Sequence, residues 1–468
     1  MRRIISAFIC VMMIFTCISC TAEEPEIVPE YISSTSRRNI DLDGMTVIIA
    51  MDNRFDGRGE NLGYIPGTEF GDLAAQRVKD VENQFNCNIK FVYTNSVGDR
   101  AYNSAVGGTY LYDIIAETSF GLLHYMRANA FQNLATLDNL DIFDQSKWGN
   151  RYSLISTMYD GGIFALTGAA LPMRVADSET GVICVNETYV SNILATDPRD
   201  YFENGEWNWE NFEKCIIDFA HTNNVNQYVY SFSTGFGRFA RDLGLSNGTE
   251  VVSMNEDGQF EIGYFTQPAL DAYNQAYEWF NGATADNVID YYKSDRFIAG
   301  EAVMYCADTV TLTGSTESIA YNMENFGIVP IPTGPNAKDA NDFKTTYSSS
   351  SIAYAIPITA QDAEISALIL DNLFEPFEGF ETKESIIEYL KRNYFSDERD
   401  ARLILELTQG DHMRYHVHME MSSMFDAMMG DGIVRSLESH EDSIYKQAEK
   451  SAFPAYKTLF EYEEYFHE

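Results

Sequence analysis

The chain has 468 residues, too many for one ordinary hydrophobic core, and a length of roughly 100 to 200 residues per domain predicts at least two. Hydrophobic residues make up 45% and charged residues 22%, the range of a folded soluble protein and not of a disordered one. A formal net charge of -38, from 70 acidic against 32 basic side chains, excludes nucleic acid and anionic lipid headgroups as direct partners, since a polyanion repels both.

At the N-terminus, Arg2 and Arg3 precede an apolar run over 4–15, the basic and hydrophobic regions of a secretory leader. The run is shorter than the roughly 20 apolar residues that span a bilayer. It ends at Cys17, Ile18, Ser19 and Cys20, followed by the acidic stretch TAEEPEIVPEY. A small residue directly before a cysteine, after such a leader, resembles the lipobox of bacterial lipoproteins, with Cys17 where that pattern usually has Leu. The resemblance implies a signal peptide over 1–19, a lipid on Cys20, and contact with the membrane through that lipid only. Loss of Arg2 and Arg3 would take the formal charge from -38 to -40. Residues 20–43, rich in Glu, Pro and Ser, have the composition of a flexible tether. The later cysteines, Cys87, Cys184, Cys215 and Cys306, each sit in an apolar run and read as buried thiols.

Within the folded chain, residues 45–50 (MTVIIA) form a buried-strand run. A long loop follows, and then a helix with Ala74, Val78, Val81 and Phe85 on one face. Residues 88–93 are the next strand. After a Gly-rich turn comes YDIIAETS at 112–119, with a helical stretch behind it to about residue 129. Strand and helix alternate here as in a parallel sheet covered on both faces, where ligands sit beyond the carboxyl ends of the strands. A short strand over 163–166, the turn-rich segment TGAALPMRVADSET and a strand over 181–185 mark passage into a second lobe. Asn208 caps a helix opening at WENF, and Trp207 before it staples onto Phe212. Next come a strand over 228–232, a loop STGFGRFARDLG, a hairpin turning at Asp257 and Gly258, and a helix over 269–280. Buried-strand runs in RFIAGEAVMYCAD and FGIVPIPTGP complete the pattern.

The order of YDIIAETS, AFQNLATLDNL, SKWGNRYSL, YDGGIFALTGAAL, GVICVNETYV, GEWNWENF, RFIAGEAVMYC, FGIVPIPTGP and YSSSSIAYAIP resembles the family 1 extracellular solute-binding proteins, lipid-anchored receptors of bacterial carbohydrate ABC importers. The resemblance covers about 45–357, and the residues beyond 371 match only as generic helices. Glu187 stands where many members carry Lys, and WNW replaces the commoner WTW. What it implies is an α/β, two-lobed, periplasmic-binding-protein-like fold of type II, with discontinuous lobes joined by hinge crossings. The first lobe is expected over 44–166 with about 350–400, the second over 171–345 with about 412–468. Crossings are expected near 166–171, 345–350 and 393–412. The implied function is capture of a sugar or oligosaccharide outside the cell membrane and delivery to permease subunits by a monomer, with no catalysis, cofactor or metal.

A sugar presents apolar C–H faces and diverging hydroxyls, so its cleft needs aromatic plates beside polar side chains. The 29 Tyr and 30 Phe suffice for plates and cores together. Candidate ligand contacts on the loops of such a cleft are Asn53, Arg54 and Tyr64; Glu117 and Ser119; Arg174; Phe236 and Arg238; Tyr305 and Asp308; and Tyr347. GRGENLG at 57–63 lacks the glycine spacing of a dinucleotide loop, and DNRFDG places Arg54 at a ligand position of a calcium loop. His416, His418 and Glu420 are spaced so that i and i+2 diverge on a helix, which reads as an ordinary helix and not a metal site. Rival readings are a surface-anchored glycoside hydrolase, a sensory receptor, and a binder of a non-sugar solute such as a peptide or polyamine. Mass spectrometry of the membrane fraction is expected to find no unmodified N-terminal peptide containing Cys20.

Overall fold

The structure is a computed structural model that describes residues 40–168, 181–222, 228–255, 257–313, 316–346, 351–409, 411–415 and 421–466. The leader, Cys20, most of the tether, Arg174, Tyr347, His416, His418 and Glu420 lie outside them. No helix among the described residues is long and apolar enough to cross a membrane.

The first sheet is built on β1 (Met45–Asp52), flanked in parallel by β2 (Cys87–Thr94) and β3 (Ile114–Thr118). Between β1 and β2 runs α1 (Glu69–Phe85), capped by Thr68 Oγ1 and closed by Asn86 in the left-handed region at φ 49°. Its buried face carries the predicted Ala74, Val78, Val81 and Phe85. Ahead of the Gly-rich turn, where periodicity assigns no element, residues Val97–Gly107 form α2, and Ser119–Arg127 form α3 behind β3. Successive residues of a strand face opposite sides. Val47, Ile49 and Met51 therefore join the α1 layer, while Ala50, Ile115 and Ala353 meet α2 and α3 through Val97, Leu122 and Met126.

The sheet is mixed and not all parallel: β4 (Leu166–Thr167) and β13 (Ile352–Ala355) complete the order β2-β1-β3-β13-β4, with β13 antiparallel to both neighbours. The second sheet holds β5 (Val182–Asn186), β6 (Tyr228–Thr234), β9 (Val288–Asp290), β10 (Ala302–Ala307) and β11 (Phe326–Val329) in the order β9-β6-β10-β5-β11. There β5 is the strand that runs against its neighbours. The two sheets thus share one plan, and the predicted hairpin is present as β7 (Val252–Met254) and β8 (Phe260–Ile262).

One face of the second sheet is covered by α4 (Trp209–Phe219), α5 (Phe236–Leu245) and α6 (Gln267–Asn281). Asn208 Oδ1 accepts the Asn211 N–H at 3.1 Å and the Trp207 ring meets Phe212 edge-on at 5.8 Å, the cap and staple expected. The segment 233–244, expected as a loop, is instead mostly α5. Its glycines mislead because they are there for packing: a Cβ on Gly237 would lie 3.0 Å from the Phe425 backbone, and one on Gly244 3.2 Å from the Tyr273 ring. The other face is covered by α9 (Lys383–Asn393) and α10 (Glu398–Gln409), whose Ile386, Leu390 and Ile404 cluster with Val182, Cys184 and Ile328. These helices already pack on the second sheet where the sequence places a crossing at 393–412.

Near the crossings, β12 (Thr345–Thr346) pairs in parallel with β14 (Met413–Arg414). Arg241 Nη2 donates to Thr346 Oγ1 at 2.6 Å, and Arg414 forks onto Glu250 while lying 3.9 Å from the Tyr152 ring centroid. After α11 (Ser422–Asp431) and α12 (Ile433–Ala448), α13 (Ala452–Glu461) lies against the small hairpin of residues 158–163 and against β7. Gly161 N–H donates to Thr458 Oγ1 at 2.7 Å, and Phe260 stacks on Phe453 at 5.3 Å. All four described cysteines are buried free thiols.

Two buried cations tie helices together. Arg199 reaches Glu187 and Asp197, each at 2.6 Å, and Asp400 at 3.1 Å, whose other oxygen accepts the Ile328 N–H at 2.7 Å. Lys147, fully buried, donates to Asp371 at 2.8 Å and Glu375 at 2.9 Å, joining the segment before β4 to the end of α8 (Ala363–Leu373). Burial acts to lower the Lys147 pKa, but the two carboxylates outweigh it and hold the ammonium above its ordinary range. Lys147→Met leaves Asp371 buried without its cation and is expected to destabilise by about 3–5 kcal/mol in urea unfolding. The same change combined with Asp371→Leu should recover most of that loss.

Candidate functional site

Three parallel strands of the second sheet end side by side: β6 at Thr234, β9 at Asp290 and β10 at Ala307. The segments that follow them, with residues 316–322 and one end of α11, line a cavity of about 1270 Å³. This is the edge where α/β sheets gather ligand loops, because the chain turns outward there and presents backbone and side-chain polar groups together. Arg238, on the first turn of α5, donates from Nη1 to Asp308 Oδ2 at 2.8 Å. The other Asp308 oxygen accepts the Thr311 N–H at 2.6 Å, at the start of α7 (Thr309–Thr313). Burial acts to raise the Asp308 pKa, but Arg238 and Thr311 outweigh it and hold the carboxyl below its usual range.

Asp290 Oδ1 accepts the Phe236 N–H at 3.0 Å, fixing the end of β9 to the start of α5. Tyr305, buried on β10, donates its hydroxyl to the Tyr292 carbonyl at 2.6 Å. Burial pushes the Tyr305 phenol far up, so it stays a donor. Its partner Tyr292 keeps 72% of its surface exposed, an aromatic plate on the cavity rim.

The first sheet repeats the arrangement at the same edge, where β1 ends at Asp52, β2 at Thr94 and β3 at Thr118. Arg54 Nε donates to Asp52 at 2.8 Å, and its Nη2 donates to Glu117. Asn53 Nδ2 donates to Asn95 Oδ1 at 2.8 Å. Burial acts to raise the Asp52 pKa, but the Arg54 N–H and guanidinium prevail and keep it lowered. Phe120, on the first turn of α3, leaves 48% of its surface exposed.

Of the residues nominated from sequence, Phe236, Arg238, Tyr305 and Asp308 meet in the one cavity. Asn53, Arg54 and Glu117 form the cluster on the first sheet's edge. The Phe236 side chain, however, packs inward on Phe280 at 5.4 Å, so only its backbone is available at the rim. Tyr64 is buried against Phe70 and Phe377, because its loop folds back over α1. Ser119 is buried too, its N–H donating to the Ser351 carbonyl at 3.0 Å. Arg174 and Tyr347 lie outside the described residues. Sequence reasoning missed Asp290, which ends a strand of three residues, Tyr292 just after it, and Asp426 and Met429, on a helix that offers no motif. It also stopped one residue short of Phe120. An aromatic directly after a buried strand and its cap is the signal that points there.

No protein-family model and no curated protein matches the sequence. Solved structures do match in fold. The sugar transporter RHE_PF00321 from Rhizobium etli superposes with a TM-score of 0.60 at 14% identity, over 86% of this chain and 99% of its own. The extracellular solute-binding protein from Staphylococcus aureus in complex with maltose gives 0.56 at 12% identity, over 86% and 98%. ABC substrate-binding protein Lmo0181 from Listeria monocytogenes, in complex with cycloalternan, gives 0.52 at 14% identity, over 86% and 99%. The chain has the two-lobed α/β fold of these solute-binding proteins.

Proposed function

We propose that the chain is a sugar receptor of an ABC importer, which captures its ligand between the carboxyl edges of the two sheets and hands it to permease subunits without making or breaking a bond. The observation that carries this reading is the large cavity at the end of β6, β9 and β10, where an oriented Arg238–Asp308 pair stands beside the exposed ring of Tyr292. Guanidinium and carboxylate supply donors and acceptors for hydroxyls, and the ring takes a C–H face. On the first sheet, Arg54, Glu117 and Phe120 offer the same three chemistries. The sugar-binding proteins that share the fold support it further. In this reading a lipid on Cys20 holds the monomer at the outer face of the membrane, and the tether lets an acidic body stand clear of anionic headgroups.

A thermal-shift screen of neutral mono- and oligosaccharides tests the proposal. A ligand at a hundredfold excess over its dissociation constant should raise stability by about 2.7 kcal/mol. Release of reducing sugar from any oligosaccharide in the panel would overturn it in favour of a hydrolase. Changing Arg54 and Asp308 to Ala, singly, is expected to weaken binding by more than about tenfold with unfolding midpoints little changed, since neither pair is fully buried.

The pH dependence follows from Asp308. A carboxyl held below its ordinary pKa of 3.8 keeps its charge above that value and loses it only as the pH falls through the lowered one. Affinity should hold from about pH 7 down to the ordinary carboxylate range near pH 4 and fall only below it. Isothermal titration across that range checks it.

A further inference from the structure

Net charge alone does not fix the charge of a cleft, but here the described lining does. Five carboxylates, those of Asp290, Asp295, Asp308, Glu317 and Asp426, stand against two cations, Arg238 and Lys293. Arg238 is committed to Asp308 at 2.8 Å. The first turn of α5 offsets part of the Asp290 charge through the Phe236 N–H. Asp295 is held differently: its oxygens accept the Tyr291 hydroxyl at 3.0 Å and the Arg296 backbone N–H at 2.9 Å. Neutral donors fix where that carboxylate sits without cancelling its charge. Asp426 lies over Gly237, where a Cβ would come within 2.9 Å of Oδ1. Neither Asp295 nor Asp426 has the side-chain nitrogen of a Lys or Arg within 4.0 Å among the described residues, and both are exposed to the cavity.

A cleft whose lining carries an excess of one sign of charge between low-dielectric walls concentrates its field, so this one draws cations and turns anions away. Its size adds a second limit. At about 1270 Å³ it exceeds the 300–1,000 Å³ typical of sites for drug-sized ligands, and a single sugar ring is smaller than those ligands. We propose that the cavity takes an oligosaccharide bearing at least one protonated amine, which Asp295 and Asp426 bind, and that it excludes sugars carrying carboxylate or sulfate groups. The inference rests on the sugar reading above and narrows it.

Titration calorimetry of the full chain with cellotriose, N-acetylchitotriose, the glucosamine trimer, trigalacturonate and spermidine tests it. At low salt the glucosamine trimer should bind at least about fivefold more tightly than its N-acetylated counterpart, and the gap should close at high salt. Trigalacturonate should not bind. In an Asp295→Asn, Asp426→Asn double variant, both positions being exposed, the affinity ratio of amine to N-acetyl trimer should fall toward one. Binding of neutral trioses with no gain from the amine, equal binding of trigalacturonate, or a ratio that survives the double substitution overturns this inference and leaves the sugar reading standing. Binding of no sugar, or of spermidine alone, overturns both.

Discussion

A chain that leaves one sheet at the carboxyl edge of its parallel strands, and enters a second sheet from that same edge, must run its first new strand against the neighbours. β5 and β13 obey this constraint. β5 follows β4, and β13 follows β11 with the two-residue β12 between them; β4 and β11 both depart at the edge where the parallel strands end. β5 and β13 thereby each begin at the edge where the parallel strands of their own sheet end, the edge that in the second sheet also collects the loops of the cavity.

Each edge organises its polar groups by the same device. An arginine just past a strand end turns back onto a carboxylate at the end of another strand or just after it, Arg54 onto Glu117 and Arg238 onto Asp308. Long side chains that are already oriented lose less freedom when a ligand arrives, so more of each hydrogen bond is retained as affinity. The buried cations serve another end. Arg199, Lys147 and Arg414 each satisfy several carboxylate or carbonyl oxygens, and an ion so far from water is tolerable only with that many partners.

Much of this fold was legible in the sequence, and the reasons are local. The MTVIIA run, the one-faced helix ending at Phe85 and the capped, stapled helix at Asn208 depend on neighbours in sequence, and each stands where periodicity puts it. Strand direction was not legible, because a strand of one direction has the same side-chain pattern as a strand of the other. α5 was hidden by two glycines whose purpose is close approach to Phe425 and Tyr273, contacts that no local pattern reveals. At the site, Arg238 and Asp308 followed from strand ends that could be read. Tyr292 and Asp290 did not, since three residues are too few to show a strand's alternation. Tyr64 looked like a loop aromatic, and only the fold shows the loop closing over its ring.

The last long helix, α13, touches both the small hairpin before β4 and the one formed by β7 and β8. It spans the seam like a strut with two different joints. On one side a hydrogen bond from Gly161 pins it. On the other, the Phe260 ring lies nearly parallel to those of Phe453 and Phe460, at 21° and 11°. Parallel rings glide past one another more readily than interlocked side chains. The helix is therefore held at a fixed point on one side and through broad ring faces on the other.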